Sequence, residues 1–122
     1  MIYRATVLNF SDLDEIEISI YGKKIICHLA YCSYKPCIGK VYDVELSLYF
    51  INDHNLEISL SESSDKLERI SDSFGYYING YLHNNTVISS SIEFEDDLLY
   101  EYSMFDSKNV CLKVDRIDLA FV

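Results

Sequence analysis

The chain has 122 residues, of which 49% are hydrophobic and 14% aromatic, with 11 tyrosines and no tryptophan. That is the length of one domain, 1–122, with enough apolar surface to bury a core, and it excludes intrinsic disorder. Acids outnumber bases 20 to 10, and the net charge of −10 disfavours an autonomous binder of nucleic acid or of anionic membranes.

The N-terminal residues lack the charged n-region and apolar run of a signal peptide, and no stretch approaches the roughly 18 apolar residues of a membrane helix. The expectation is a complete, cytoplasmic chain with no membrane partner. Four cysteines, Cys27, Cys32, Cys37 and Cys111, are then expected to remain thiols.

Period two dominates the hydrophobic pattern. After a first strand at 2–10, Ile16, Ile18 and Ile20 alternate with Glu15, Glu17 and Ser19 over 15–21. Tyr21-Gly22-Lys23-Lys24 reads as a tight hairpin into a strand at 24–31, and Lys35-Pro36-Cys37-Ile38-Gly39, with the only proline, reads as a loop. Val44, Leu46, Leu48 and Phe50 alternate with Asp43, Glu45, Ser47 and Tyr49 over 40–51, and Leu56, Ile58 and Leu60 alternate with Glu57 and Ser59 over 56–60. Such alternation sends one set of side chains into a core and the other into water.

Residues 61–73 break the pattern. Leu67 and Ile70 stand three apart, Asp65 precedes Glu68 by three, and Lys66 and Arg69 follow, which predicts one short helix near 64–71. Strands resume at 74–82, turn at His83-Asn84-Asn85-Thr86, and continue at 87–94. Glu95-Asp96-Asp97 and Asp106–Asn109 are polar breaks, with a candidate extra strand at 98–103 between them. In the last strand, 109–121, Val110, Leu112 and Val114 occupy even positions while Ile117, Leu119 and Phe121 occupy odd ones. A β-bulge at Asp115-Arg116 would reverse the facing and leave Val114 and Ile117 both buried.

The fold class predicted is all-β: a small antiparallel β-barrel, OB-like with extra strands, and at most one short helix. A two-sheet β-sandwich is the alternative.

No catalytic motif is present: no G-x-S-x-G, Walker loop, H-E-x-x-H or G-x-G-x-x-G. Cys27, His28, Cys32 and Cys37 have zinc-like spacing, but Cys27 and His28 are consecutive on a strand and face opposite sides. The run Glu93–Asp97 lacks the ligand spacing of a calcium loop. No cofactor, no metal and no enzyme is expected.

The outward phase is more informative. Tyr77, Asn79 and Tyr81 fall on the polar side of one strand, Asp43 and Glu45 on that of another, and Glu93 and Glu95 share a third face. Tyrosine beside carboxylate is the composition of a surface that meets a basic protein. These seven residues are the predicted partner-binding set. The predicted function is a non-enzymatic acidic binding module of immunity, inhibitor or adaptor type. The alternatives are an OB-like nucleic-acid-binding barrel, opposed by charge, and a small enzyme or metal protein using the Cys27–Cys37 segment.

Overall fold

Eleven strands and one 3-10 helix are formed by the described residues 1–11, 14–62 and 65–122 of the computed structural model. The pattern is all-β with one short helix, as predicted. Five strands make the first sheet: β1 (Ile2–Phe10), β2 (Glu15–Ile20), β3 (Lys23–Tyr31), β4 (Val41–Tyr49) and, last in the chain, β11 (Arg116–Phe121). The ring β1-β2-β3-β11-β4 closes through the pairing of β4 with β1, and β11 runs parallel to β3 but antiparallel to β4. Tyr3, Ala5, Val7, Ile16, Ile18, Ile20, Ile25, Cys27, Val44, Ile117, Leu119 and Phe121 are its buried side chains.

The residues between β4 and β11 build a second sheet: β5 (Ile58–Leu60), β6 (Lys66–Arg69), β7 (Tyr76–His83), β8 (Thr86–Ser89), β9 (Ile92–Glu95) and β10 (Lys108–Val114), with the 3-10 helix Asp97–Phe105 before β10. The order is β5-β10-β7-β8-β9, with β6 on β7 as well. One edge of β7 is thus shared: β6 pairs with residues 76–79 and β8 with 81–83. Gly80 falls at the junction, where a Cβ would overlap the Ile88 carbonyl. The inner face of this sheet, Ile78, Leu82, Val87, Ile92, Phe94, Val110, Leu112 and Val114, joins the side chains of the first sheet in one continuous core.

The structure corrects several expectations. The helix near 64–71 is absent; residues 66–69 are strand β6, and residue 64 lies outside the described residues. A two-turn helix with one apolar pair is marginal in water, whereas pairing Leu67 with Ile78 satisfies an open edge of β7. The short helix lies instead at 97–105, where 98–103 was a candidate strand. Asp96 caps it by accepting the Leu98 N–H at 2.9 Å. The span 87–94 is two strands, because Ser90 and Ser91 both take positive φ (53° and 64°) and reverse the chain. The last strand is also two. Val114 and Ile117 are both fully buried, but Asp115 is a corner between sheets and not a bulge within one. Its N–H donates to the Tyr49 carbonyl at 3.0 Å and its carboxylate accepts the Ile51 N–H at 2.8 Å. Among the described residues no helix is long and apolar enough to cross a membrane.

Candidate functional site

Residues directly opposite in neighbouring strands share a face, so the ladder of the second sheet defines its outer surface. On β7, Tyr77 stands between Glu68 of β6 and Lys113 of β10, Asn79 between Lys66 and Cys111, and Tyr81 between Ile88 of β8 and Asn109 of β10. Ile88 in turn faces Glu93, and Thr86 faces Glu95, on β9. Beyond β10, Ser59 of β5 faces Cys111. Five of the seven predicted residues therefore lie on one side of one sheet.

They are not equally available. Tyr77 is 37% exposed and Tyr81 42% exposed. Glu95 is exposed and Glu93 half-buried. Asn79, expected to be a contact residue, is only 4% exposed and cannot serve as one. Strands flank β7 on both sides here, and the Asn79 Oδ1 accepts the Ser61 hydroxyl at 3.0 Å. Asp43 and Glu45 are exposed but belong to β4 of the first sheet, so they do not join the tyrosines. Asp43 is also 3.7 Å from Arg4.

The bases on the tyrosine face are matched by acids. Lys113 lies 3.7 Å from Glu57, and Lys66 lies 3.7 Å from Glu68. Among the described residues neither Glu93 nor Glu95 has a basic partner. Tyr77 also borders an open hollow of about 240 Å³ lined by Glu57, Ile58, Ser59, Cys111 and Lys113. Glu57 and Lys113 separate it from a second hollow of about 300 Å³, walled by Phe50, Ile51, Asn52, Asn55, Leu56 and Asp115. The sequence reading missed Glu57, Glu68, Ser59, Cys111 and Lys113. The outward phase of Glu57, Ser59, Cys111 and Lys113 was legible, but that of Glu68, expected in a helix, was not, nor was which strands would flank β7.

A second polar cluster lies at the seam between the sheets. His28 Nδ1 is 3.1 Å from the Asp118 carboxylate, which also accepts the Arg116 Nε–H at 2.8 Å. The Arg116 guanidinium stacks on Tyr49 at 4.1 Å, and Phe74 meets the His28 ring edge to face. Beside it, Arg69 of β6 lies 3.4 Å from Glu15 of β2. Every group in this cluster is engaged with a neighbour across or along the sheets, and the arrangement locks them together.

The cysteines are scattered. Cys27 is buried inside the ring, where desolvation pushes its thiol far up and the nearby Asp118 charge adds to the rise. Cys32 and Cys37 lie in the β3–β4 loop, and Cys37 is exposed. Cys111 is on the other sheet, and burial raises its thiol as well. His28 faces away from Cys27, as its position on the strand required.

Residues 1–122 match the family described as Uncharacterised conserved protein UCP019853, and the chain belongs to that family. No curated protein and no solved structure matches it.

Proposed function

We propose that this family member is a non-enzymatic, cytoplasmic protein-binding module that meets a basic partner on the outer face of its second sheet. The observation that carries the reading is the alignment of exposed Tyr77 and Tyr81 on β7, on the same face as the unpaired carboxylates Glu93 and Glu95. Rigid aromatics supply contact area at low entropic cost, and carboxylates steer a basic partner. The net charge of −10 acts in the same sense.

The alternative, an OB-like barrel that binds nucleic acid, takes support from the five-stranded ring. Such barrels present the outer face of their second and third strands to the ligand. Here residues of the second sheet stand against that surface: Arg69 on Glu15, Phe74 on His28 and the Tyr76 hydroxyl on the Ile26 backbone. Glu15 and Glu17 contribute the wrong charge for phosphate. The protein-binding reading is therefore preferred.

Affinity capture with the wild type and a Tyr77→Ala/Tyr81→Ala variant, run in parallel, tests it. The expected result is a protein with a basic contact surface that is retained by the wild type and lost from the variant, while both unfold at the same urea concentration. Equal recovery by both would remove the face from consideration.

A further inference from the structure

The chain's acids are distributed with a gap. None of the 20 lies between Ile18 and Tyr42, a stretch that holds four lysines, Lys23, Lys24, Lys35 and Lys40. Lys23 and Lys24 follow the β2–β3 turn. Lys35 and Lys40 lie at the other end of the ring, in the loop from β3 to β4.

That loop is exposed and apolar, yet firmly held. Tyr31 is 60% exposed, Ile38 59% and Tyr34 45%, and Val41 and Val122 beside them are also exposed. Lys35, Cys37 and Lys40 are exposed too. The Tyr42 hydroxyl accepts the Cys37 N–H at 2.7 Å, the Gly39 N–H donates to the Val7 carbonyl at 2.7 Å, and the Val7 N–H donates to the Lys40 carbonyl at 3.0 Å. The Tyr34 ring packs on Tyr42 and on Phe121, with centroids 5.8 and 6.0 Å apart. Exposed apolar side chains on a pre-ordered loop lose little entropy on binding, and several of them gathered at one end of the ring mark a candidate contact site.

We propose that this end of the ring is a second protein-binding surface, of opposite character to the tyrosine face, and that it takes an acidic partner segment bearing an apolar side chain. Tyr31, Tyr34 and Ile38 supply the apolar centre, and Lys35 and Lys40 the charged rim. Of the acids that border the patch, Asp43 lies 3.7 Å from Arg4, and the exposed Glu45 stands on β4 opposite Ala120, the neighbour of Tyr31, so the positive rim is the loop side, where Lys35 and Lys40 lie. Charge selects the partner class. Two lysines on a chain of net charge −10 are too few to hold a polyphosphate strand or an anionic bilayer, but they match the rim of a protein interface.

The test uses isotope-labelled full-length protein and amide chemical shifts. The probes are a peptide with one leucine set among glutamates, its lysine counterpart, oligothymidylate, and vesicles of anionic lipid. The expected result is saturable shifts at residues 31–41 and 121–122 with the acidic peptide, at least about tenfold tighter than with the lysine peptide. Lys35→Glu/Lys40→Glu should reverse that preference, and Tyr34→Ser/Ile38→Ser should abolish binding without moving the β7 resonances. No saturable shift, shifts indifferent to charge reversal, or tighter engagement of oligothymidylate or vesicles would overturn the proposal. Because Tyr77 and Tyr81 are untouched by these variants, failure here leaves the tyrosine-face reading standing, and the reverse also holds.

Discussion

The hydroxyl of Tyr76, on β7 of the second sheet, accepts the backbone N–H of Ile26, on β3 of the first, at 2.8 Å. The pairing of β11 with β3 runs only from His28 to Tyr31, so this stretch of β3 has an open side that Tyr76 closes. A reciprocal contact runs the other way: Tyr3, on β1, accepts the Glu93 N–H of β9 at 2.7 Å. Tyr102 does the same for Leu56 at 2.8 Å. In all three cases a tyrosine hydroxyl supplies the acceptor that no neighbouring strand offers.

Tyr76→Phe should therefore cost about 1 kcal/mol or more, the penalty of leaving a partly buried backbone donor without its partner. Urea unfolding with an unchanged slope is the measurement. Tyr77→Phe, on the exposed face, should stay within about 0.5 kcal/mol and serves as the control. Equal effects of the two would mean the Ile26 contact contributes nothing.

Burial raises the ionisation of Tyr3, Tyr76 and Cys27 above ordinary values of 10.0, 10.0 and 9.0. The unfolded chain therefore releases these protons at lower pH than the folded one. Their contribution to stability is complete below about pH 9 and falls as pH rises through and beyond the ordinary values. Unfolding free energy should decline from about pH 9 upward, and Cys27→Ala should flatten the first part of that decline. Stability that holds level to pH 11 and above would contradict the burial of these groups.

Except for β6, expected to be a helix, the phase of the strands was readable in the sequence, and their neighbours were not. Tyr77 and Tyr81 point outward as alternation required, but Asn79 between them is covered because β6 and β10 both flank it, a matter of long-range pairing. The jump from Val114 to Ile117 was visible as reversed facing. Facing does not say which sheet a residue joins, so a corner looked like a bulge. Between Val87 and Ile92 the same kind of jump marked a turn, but Ser90 and Ser91 carry little of the left-handed preference that made Tyr21-Gly22 plain. The acid cluster at 95–97 hid the helix cap at Asp96, while weaker signals at 65–68 suggested one.

The Ser90-Ser91 turn offers a gain in stability. Both residues sit in the left-handed region, which is costly for serine and natural to Asn-Gly. Ser90→Asn/Ser91→Gly should stabilise the protein by about 1 kcal/mol, seen as a rise in Tm. A fall in Tm would mean that the serine side chains do more here than tolerate the turn.

Two glycines should separate steric from conformational demand. Gly80→Ala drives a Cβ into the Ile88 carbonyl and should cost about 3 kcal/mol, at the upper end of overpacking penalties, with hairpin β7–β8 the first part to loosen. Gly22→Ala meets open space at φ +76° and should cost only about 1 kcal/mol. Denaturant midpoints of the two variants decide it, and a Gly80→Ala midpoint no lower than that of Gly22→Ala would refute the close approach.

The proposed function is tested most directly by the association rate of the captured partner as salt is raised. Steering by Glu93, Glu95 and the surrounding negative field predicts a rate that falls several-fold between about 50 and about 500 mM salt, and a Glu93→Gln/Glu95→Gln variant that is slower at low salt and converges with the wild type at high salt. A rate indifferent to salt and to the variant would contradict a basic partner on the tyrosine face.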